Sequence, residues 1–217
     1  MTRLLFFLLA VAALFGVSST ADASLSSGLP AGPVGSPVVS AVDFTNRATI
    51  EVVGDSITVR SYKSLPAQLP GERIAVNAQS GSNTAQSIDR LEAQLKAGAK
   101  LPPRLVMATG ANDVFAPGVV GAQVRRLLAL VQAQSPTTRV WWVDASVLRP
   151  GFLFADRANS AKVNSQIRAN CVGSCSVISW AGFLATVKRS TYIDSGGVHP
   201  TTAGQVAWAK LIAGAVR

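Results

Sequence analysis

Residues 51–60, EVVGDSITVR, place an apolar run directly before a glycine, an acid and a serine. The run begins at Ile50, is typical of a short buried strand, and ends at the glycine. Asp55 suits a turn or a helix cap, and the residues after Ser56 are suited to a helix. The pattern therefore predicts that Ser56 lies on the turn between a strand and a helix, with its hydroxyl in a cleft.

Strand and helix patterns alternate through the rest of the chain. The predicted strands cover 48–54, 73–79, 104–110, 139–146 and 175–180, and the predicted helices cover 84–98, 119–134, 155–170 and 201–216. Such alternation predicts an α/β fold, with a parallel sheet covered by helices on both faces. In folds of this kind, functional residues gather at the carboxyl ends of the strands.

Residues capable of chemistry do follow the predicted strands. Ser56 follows the first strand, Gly81 the second and Asn112 the third, and DSGGVHP (194–200) precedes the last helix. A serine hydroxyl needs a base to become a nucleophile, and His199 is the one histidine of the chain. The backbone N–H groups of Ser56 and Gly81 and the side-chain amide of Asn112 could hold an oxyanion.

Four short blocks together carry a resemblance to a known family. GDSIT (54–58), the glycine of the second block, GAND (110–113) and the late pair HP (199–200) resemble the SGNH hydrolases, the GDSL esterase superfamily. The resemblance implies a three-layer α/β/α sandwich, flavodoxin-like, with about five parallel strands. The G-x-S-x-G elbow is absent from the chain, which argues against the standard α/β-hydrolase class.

The same resemblance assigns roles to individual residues. It implies that Ser56 is the nucleophile and that His199 is the base. It also implies an oxyanion hole formed by Ser56, Gly81 and Asn112.

The acid of the expected triad departs from the family pattern. The family usually places an aspartate three residues before the histidine, where this chain has Gly196, and the nearest acid is Asp194. Residues 195–197 could bulge so that Asp194 still reaches the second ring nitrogen of His199. Alternatively, Asp194 is an ordinary loop residue, and a backbone carbonyl orients the ring in a Ser–His dyad. We favour Asp194 as the orienting acid, because a third group normally fixes the histidine tautomer.

The N-terminal part of the chain is predicted to lie outside the catalytic domain. Residues 1–23 combine a basic start, an apolar run and small residues before a cleavage point at Ala23, which predicts a secretory signal peptide. The apolar run is shorter than the roughly 18 residues of a spanning helix, which disfavours an uncleaved membrane anchor. Residues 24–42 are predicted to be a Ser/Gly/Pro-rich linker, and 43–217 the hydrolase domain. The expected location is extracellular or in the cell envelope, with no transmembrane segment after signal removal.

Cysteine content and charge limit the partners and cofactors. Cys171 and Cys175 are the only cysteines, and in an oxidising compartment a local disulfide is the favoured interpretation. Two cysteines and one histidine do not make an ordinary structural zinc site, so no metal and no cofactor is predicted. The net charge of +9 favours contact with anionic surfaces such as wall polymers or acidic lipids. The basic residues are scattered, so nucleic acid is not an expected partner.

The sequence thus predicts a secreted serine esterase that acts through a Ser–His–(Asp) mechanism with an acyl-enzyme intermediate. No long lid insertion is visible, which favours short acyl groups or O-acetyl groups on polysaccharide. A lipid ester remains open, because Val147, Leu148, Phe152 and Phe154 could wall an acyl pocket, although packing under the next helix is the favoured interpretation for them. Two alternatives remain: an acyltransferase that uses the same site, and a catalytically decayed module that binds wall polymers.

Overall fold

The computed structural model describes residues 47–217 and the backbone of Val38 and Val39. The predicted signal peptide, 1–23, lies outside the described residues. So does the predicted linker, 24–42, apart from Val38 and Val39.

A single twisted layer of strands forms the centre of the described domain. Its strands are β1 (Val38–Val39), β2 (Ile50–Gly54), β3 (Ile74–Ala78), β4 (Arg104–Ala108), β5 (Arg139–Val143) and β6 (Cys175–Ile178). They lie in the order β1-β3-β2-β4-β5-β6. Strands β2 to β6 are mutually parallel, which confirms the predicted five-stranded parallel sheet, and their order is that of flavodoxin.

Strand β1 is a feature that the sequence did not predict. It pairs antiparallel with β3 at one edge of the sheet and lies within the segment predicted as linker. Two residues are too few to show a strand periodicity, so only the pairing itself reveals the element.

Helices connect the parallel strands. They are α1 (Ser56–Ser61), α2 (Leu65–Gln68), α3 (Thr84–Lys96), α4 (Val120–Gln134), α5 (Leu153–Asn170), α6 (Trp180–Thr186), α7 (Arg189–Tyr192) and α8 (Thr202–Val216). The four predicted helices correspond to α3, α4, α5 and α8. Helix α3 begins at a capping box in which Asn83 and Gln86 each accept a hydrogen bond from the backbone N–H of the other. Helices α2, α6 and α7 were not predicted, because elements this short do not show a clear helical period.

Two helical layers cover the sheet. Helices α3, α4 and α5 pack in sequence on one another, and α1, α2 and α7 pack on α8. Every residue of β2 and β3 is buried, as expected for parallel strands with both faces covered. Trp142, Trp180 and Trp208 are among the largest fully buried side chains, so they belong to the core.

Candidate active site

The turn from β2 into α1 carries Ser56 at the sheet edge where the carboxyl ends of the strands meet. Asp55 is the N-cap of α1, and its Oδ1 accepts a hydrogen bond of 2.9 Å from the backbone N–H of Ile57. Asp55 is buried, and burial raises its pKa to about 7. Asp55 therefore shapes the turn, and the cleft is lined instead by Ser56, the first residue of the helix.

His199 reaches Ser56 from a loop between α7 and α8. Its Nε2 lies 3.0 Å from the Oγ of Ser56, which is hydrogen-bond distance. The loop is a narrow hairpin: Ile193 pairs with Pro200, and the N–H of Asp194 donates to the carbonyl of His199 over 2.9 Å. Residues that are 143 positions apart in the chain thus form a serine–histidine pair.

Asp194 lies beside the second ring nitrogen of His199 without bonding to it. Its Oδ2 is 3.8 Å from His199 Nδ1, which is longer than a hydrogen bond. The same oxygen is 3.6 Å from Nη1 of Arg60. Within 47–217, the hydrogen bond of the His199 ring is the one from Nε2 to Ser56, so Nδ1 has no backbone carbonyl partner, and the buried Oδ1 of Asp194 has no partner. The hairpin therefore places Asp194 on the Nδ1 side of the His199 ring, but the hydrogen bond that would complete a Ser–His–Asp triad is not formed.

Gly81 and Asn112 line the cleft next to Ser56, as expected of oxyanion donors. Gly81 has a φ of +79°, a conformation that glycine adopts readily. The Nδ2 of Asn112 donates a 2.9 Å hydrogen bond to the carbonyl of Ser82, which leaves its second N–H for a ligand. Ser56 is the first residue of α1, so its N–H has no partner within that helix.

The electrostatic environment of His199 favours its neutral form. Burial in the cleft lowers the pKa of the imidazole, and the positive charge of Arg60 lowers it further. The carboxylate of Asp194 acts in the opposite direction and does not cancel the other two effects. A neutral imidazole beside a serine hydroxyl can accept the serine proton.

Two arginines border the cleft, which has a volume of about 360 Å³. Arg60 comes from α1, and Arg149 comes from the segment before α5. The guanidinium of Arg149 is held by Asp156 through bonds of 2.9 Å from Nε and 2.6 Å from Nη2, and it lies over the ring of Phe115. The cleft therefore brings together a serine–histidine pair, the predicted oxyanion donors and two guanidinium groups.

Comparison with known proteins decides the family. The model of the GDSL-like lipase/acylhydrolase family matches residues 52–207. The chain belongs to this family. It is therefore a hydrolase of the SGNH/GDSL type, and the resemblance drawn from its sequence motifs is confirmed.

Solved structures of GDSL and related enzymes share the fold. A GDSL-like lipase from Bacteroides thetaiotaomicron is 17% identical over 76% of this chain and 86% of its own, with a TM-score of 0.59. An acetylxylan esterase from Geobacillus stearothermophilus is 15% identical over 76% and 92%, with a TM-score of 0.54. The catalytic domain of a Streptococcus pneumoniae peptidoglycan O-acetyltransferase is 18% identical over 77% and 89%, with a TM-score of 0.52. No curated protein matches the sequence.

Other acids of this GDSL hydrolase have structural partners. Asp113 accepts two hydrogen bonds from Thr84, 2.9 Å from its N–H and 2.8 Å from its hydroxyl, and so fixes the loop that carries Asn112. Asp144 accepts a 2.6 Å bond from the N–H of Ala181 at the start of α6. Both carboxyls are buried, and burial raises the pKa of each.

The apolar side chains before and at the start of α5 lie partly in the cleft and partly on the surface. Val147 is buried and lines the cleft. Phe152 and Phe154 are 60% and 90% exposed, so the expectation that they pack under the next helix is wrong. The chain turns at residues 150–151 and carries both rings outward, a feature that composition does not show.

Two further findings concern the disulfide and the membrane. Cys171 and Cys175 are joined in a disulfide between α5 and β6, as the sequence predicts.

In the part of the chain that the structure describes, no helix has the length and apolar character to span a bilayer.

Sequence reasoning missed Arg60 and Arg149 as cleft residues. Arg60 follows Ser56 by four positions, and on a helix this spacing places two side chains on the same face. That signal was available in the sequence. The position of Arg149 depends on the path of an irregular segment, so no sequence signal indicated it.

Gly197 provides a test of how the histidine loop is held. Its φ is +77°, its carbonyl accepts a 3.0 Å bond from the N–H of Leu148, and a Cβ there would overlap the carbonyl of Leu148. Gly197→Ala is expected to displace the loop and to lower kcat by at least about tenfold, because small displacements of a catalytic group are costly. The measurement is ester hydrolysis together with thermal unfolding.

Gly71→Ala is the matched control for that substitution. Gly71 has a φ of +82°, but a Cβ there meets nothing within 4 Å. The Gly71→Ala variant should be about 1 kcal/mol less stable than the wild type, because alanine disfavours the left-handed backbone conformation. Its activity should be unchanged. Equal activity of the two variants would contradict the assigned role of Gly197.

Proposed function

We propose that this protein is a secreted serine esterase that hydrolyses carboxylic esters with short acyl groups, including O-acetyl groups, through an acyl-enzyme intermediate. The observation that carries the proposal is the 3.0 Å contact between Ser56 Oγ and His199 Nε2. It lies in a cleft that Gly81 and Asn112 also line.

Acylation would begin with attack of Ser56 Oγ on the ester carbonyl. His199 Nε2 takes the serine proton as the new C–O bond forms, and the carbonyl oxygen becomes an oxyanion. The N–H groups of Ser56 and Gly81 and the free N–H of Asn112 are the donors for that charge. Collapse of the intermediate breaks the bond to the alcohol, which leaves with the proton from His199. Water activated by the same imidazole then releases the acid and frees Ser56.

The dimensions of the cleft support a small acyl group. Its volume of about 360 Å³ must hold the ester and part of the alcohol, and Val114, Val147 and Val198 form apolar lining. Two structural neighbours are named for acetyl groups, an acetylxylan esterase and a peptidoglycan O-acetyltransferase. Both are less than 25% identical to this chain, so they show a shared fold and are consistent with the proposal, but they are not evidence for the substrate.

Secretion is part of the same proposal. A disulfide between Cys171 and Cys175 suits an oxidising compartment. The predicted signal peptide supplies the route. The net charge of +9 would keep a secreted enzyme near anionic surfaces.

The experiment is a chain-length series of p-nitrophenyl esters, from acetate to laurate, with the purified protein. We expect kcat/KM to be highest for acetate or butyrate and to fall for longer chains. A preference for octanoate or longer would contradict the short-acyl assignment. Absence of turnover across the whole series by folded protein would contradict the esterase assignment.

An acyltransferase with the same residues is the second candidate, because a neighbour that shares the fold is a peptidoglycan O-acetyltransferase domain. In that reaction a sugar hydroxyl replaces water in the second step. Hydrolysis in the presence of a sugar acceptor, followed by mass spectrometry, separates the two functions. A new sugar ester that accounts for most of the released acyl group would identify a transferase.

A further inference from the structure

Arg60 occupies a position next to the catalytic serine. It lies one turn after Ser56 on α1, so the two side chains project from the same side of that helix. It lines the cleft together with His199, and 51% of its side chain is exposed. A ligand in the cleft therefore has access to this guanidinium.

Asp194 is the acid nearest to Arg60, and it lies almost equally close to His199. Oδ2 of Asp194 lies 3.6 Å from Arg60 Nη1 and 3.8 Å from His199 Nδ1, so it forms a hydrogen bond with neither. Its Oδ1 is buried and has no hydrogen-bond partner within residues 47–217. The carboxylate therefore lies between the guanidinium and the imidazole, and both groups are within a few tenths of an ångström of hydrogen-bond distance.

Arg149, the second arginine of the cleft, differs from Arg60 because it is firmly paired with an acid. Arg149 donates to Asp156 from its backbone N–H over 2.8 Å, from Nε over 2.9 Å and from Nη2 over 2.6 Å. Its charge is matched by a buried carboxylate in good geometry. Among the described residues, no hydrogen bond engages the guanidinium of Arg60, so all of its N–H donors are available to a ligand, whereas Arg149 already gives two of its own to Asp156.

We propose that Arg60 binds an anionic group of the substrate, a carboxylate or a phosphate, and so releases Asp194 to bond with His199 Nδ1. The inference rests on the proposed esterase function. When the substrate anion replaces Asp194 at Arg60, the carboxylate turns to the imidazole, fixes its tautomer and stabilises the imidazolium that forms during attack. Arg60 is then a positioning residue that also determines specificity.

The charged groups around His199 are consistent with this coupling. Arg60 faces the ring from α1, Asp194 faces it from its own loop, and Arg149 lies across the cleft with its charge balanced by Asp156. Burial and Arg60 already lower the pKa of His199. An anion at Arg60 would weaken the second of these effects and strengthen the contact with Asp194.

The first test compares anionic esters with neutral esters of similar size. One pair is 4-acetoxybenzoate and its methyl ester, with the charge on the leaving alcohol. The other is the mono-p-nitrophenyl ester of succinate and p-nitrophenyl butyrate, with the charge on the acyl group. For at least one pair, Arg60→Gln should lower the anionic-to-neutral ratio of kcat/KM about tenfold, because a hydrogen bond to a charged group is lost. Intrinsic reactivity cancels when this ratio is compared between variants.

Two further variants are controls. Lys63→Gln removes the same charge from an exposed residue that does not line the cleft, and it should leave both ratios unchanged. Arg60→Lys keeps the charge and should restore part of the preference. Unchanged ratios in Arg60→Gln for both pairs would overturn the recognition of an anion.

The second test measures whether Arg60 and His199 share Asp194. With p-nitrophenyl acetate, Arg60→Gln should move the rise of kcat/KM to higher pH, because the imidazole loses a neighbouring positive charge and Asp194 becomes free to bond with it. The shift should be smaller when Asp194→Asn is already present. An equal shift in both backgrounds would overturn the sharing of Asp194.

The two proposals can fail separately. If the wild type turns over the esters but the anionic-to-neutral ratios are unchanged in Arg60→Gln, only this inference is contradicted. If no ester is turned over, the esterase function is contradicted as well.

Discussion

Replacing Ser56 with alanine is expected to lower kcat for p-nitrophenyl acetate by at least about 10⁴-fold, because the substitution removes the atom that would form the acyl-enzyme. The variant should fold normally, since Ser56 lines the cleft and the hydrogen bond of its hydroxyl among the described residues is the one to His199. Steady-state hydrolysis and mass spectrometry of the protein during turnover are the measurements. Only the wild type should show a mass increase equal to the acyl group.

Ser61→Ala is the matched control on the same helix. Ser61 is buried in α1, and its hydroxyl has no hydrogen-bond partner among the described residues. Its loss should leave kcat within about twofold, and it should not reduce stability, because no buried hydrogen bond is broken. Residual activity in Ser56→Ala close to that of Ser61→Ala would contradict a serine nucleophile.

The parallel sheet and the positions of Ser56, Gly81 and Asn112 were predictable because each depends on local patterns. Short apolar runs mark the parallel strands, and parallel strands bring their carboxyl ends to one edge of the sheet. Residues that directly follow these strands, such as Ser56, Gly81 and Asn112, therefore lie near one another even when the predicted strand boundaries are wrong by a residue or two. The one histidine reaches the same edge because it directly precedes a helix capped by Thr201.

The state of the acid was not predictable in the same way. A bulge at residues 195–197 was one of two interpretations, and the structure has a hairpin that places Asp194 beside His199. Whether the carboxylate bonds to the ring depends on tenths of an ångström and on competition from Arg60. Such a balance arises from tertiary packing, which spacing in the sequence does not encode.

His199→Ala is expected to lower kcat by about 10⁴-fold, because Ser56 would lose the base that takes its proton. The variant also leaves a space beside Ser56 Oγ, since the imidazole now occupies that side of the cleft at 3.0 Å. Added imidazole should therefore restore part of the activity in a concentration-dependent way. Restoration of the same size in Ser56→Ala would show that the added base acts in solution and would contradict the assignment.

The pH dependence of the wild type follows from the direction of the His199 pKa. The neutral imidazole is the active form of a base, so kcat/KM should rise with pH through the pKa of the free enzyme. Burial and Arg60 lower that pKa below its ordinary value of about 6.5, so the half-maximal rate should lie on the acidic side of that value. Because the chain has one histidine, an NMR titration of the imidazole protons gives the same pKa independently. Agreement between the kinetic and the NMR midpoints would identify His199 as the base. A rate that stays constant from about pH 4 to 8 while the imidazole titrates within that range would mean that another group accepts the proton.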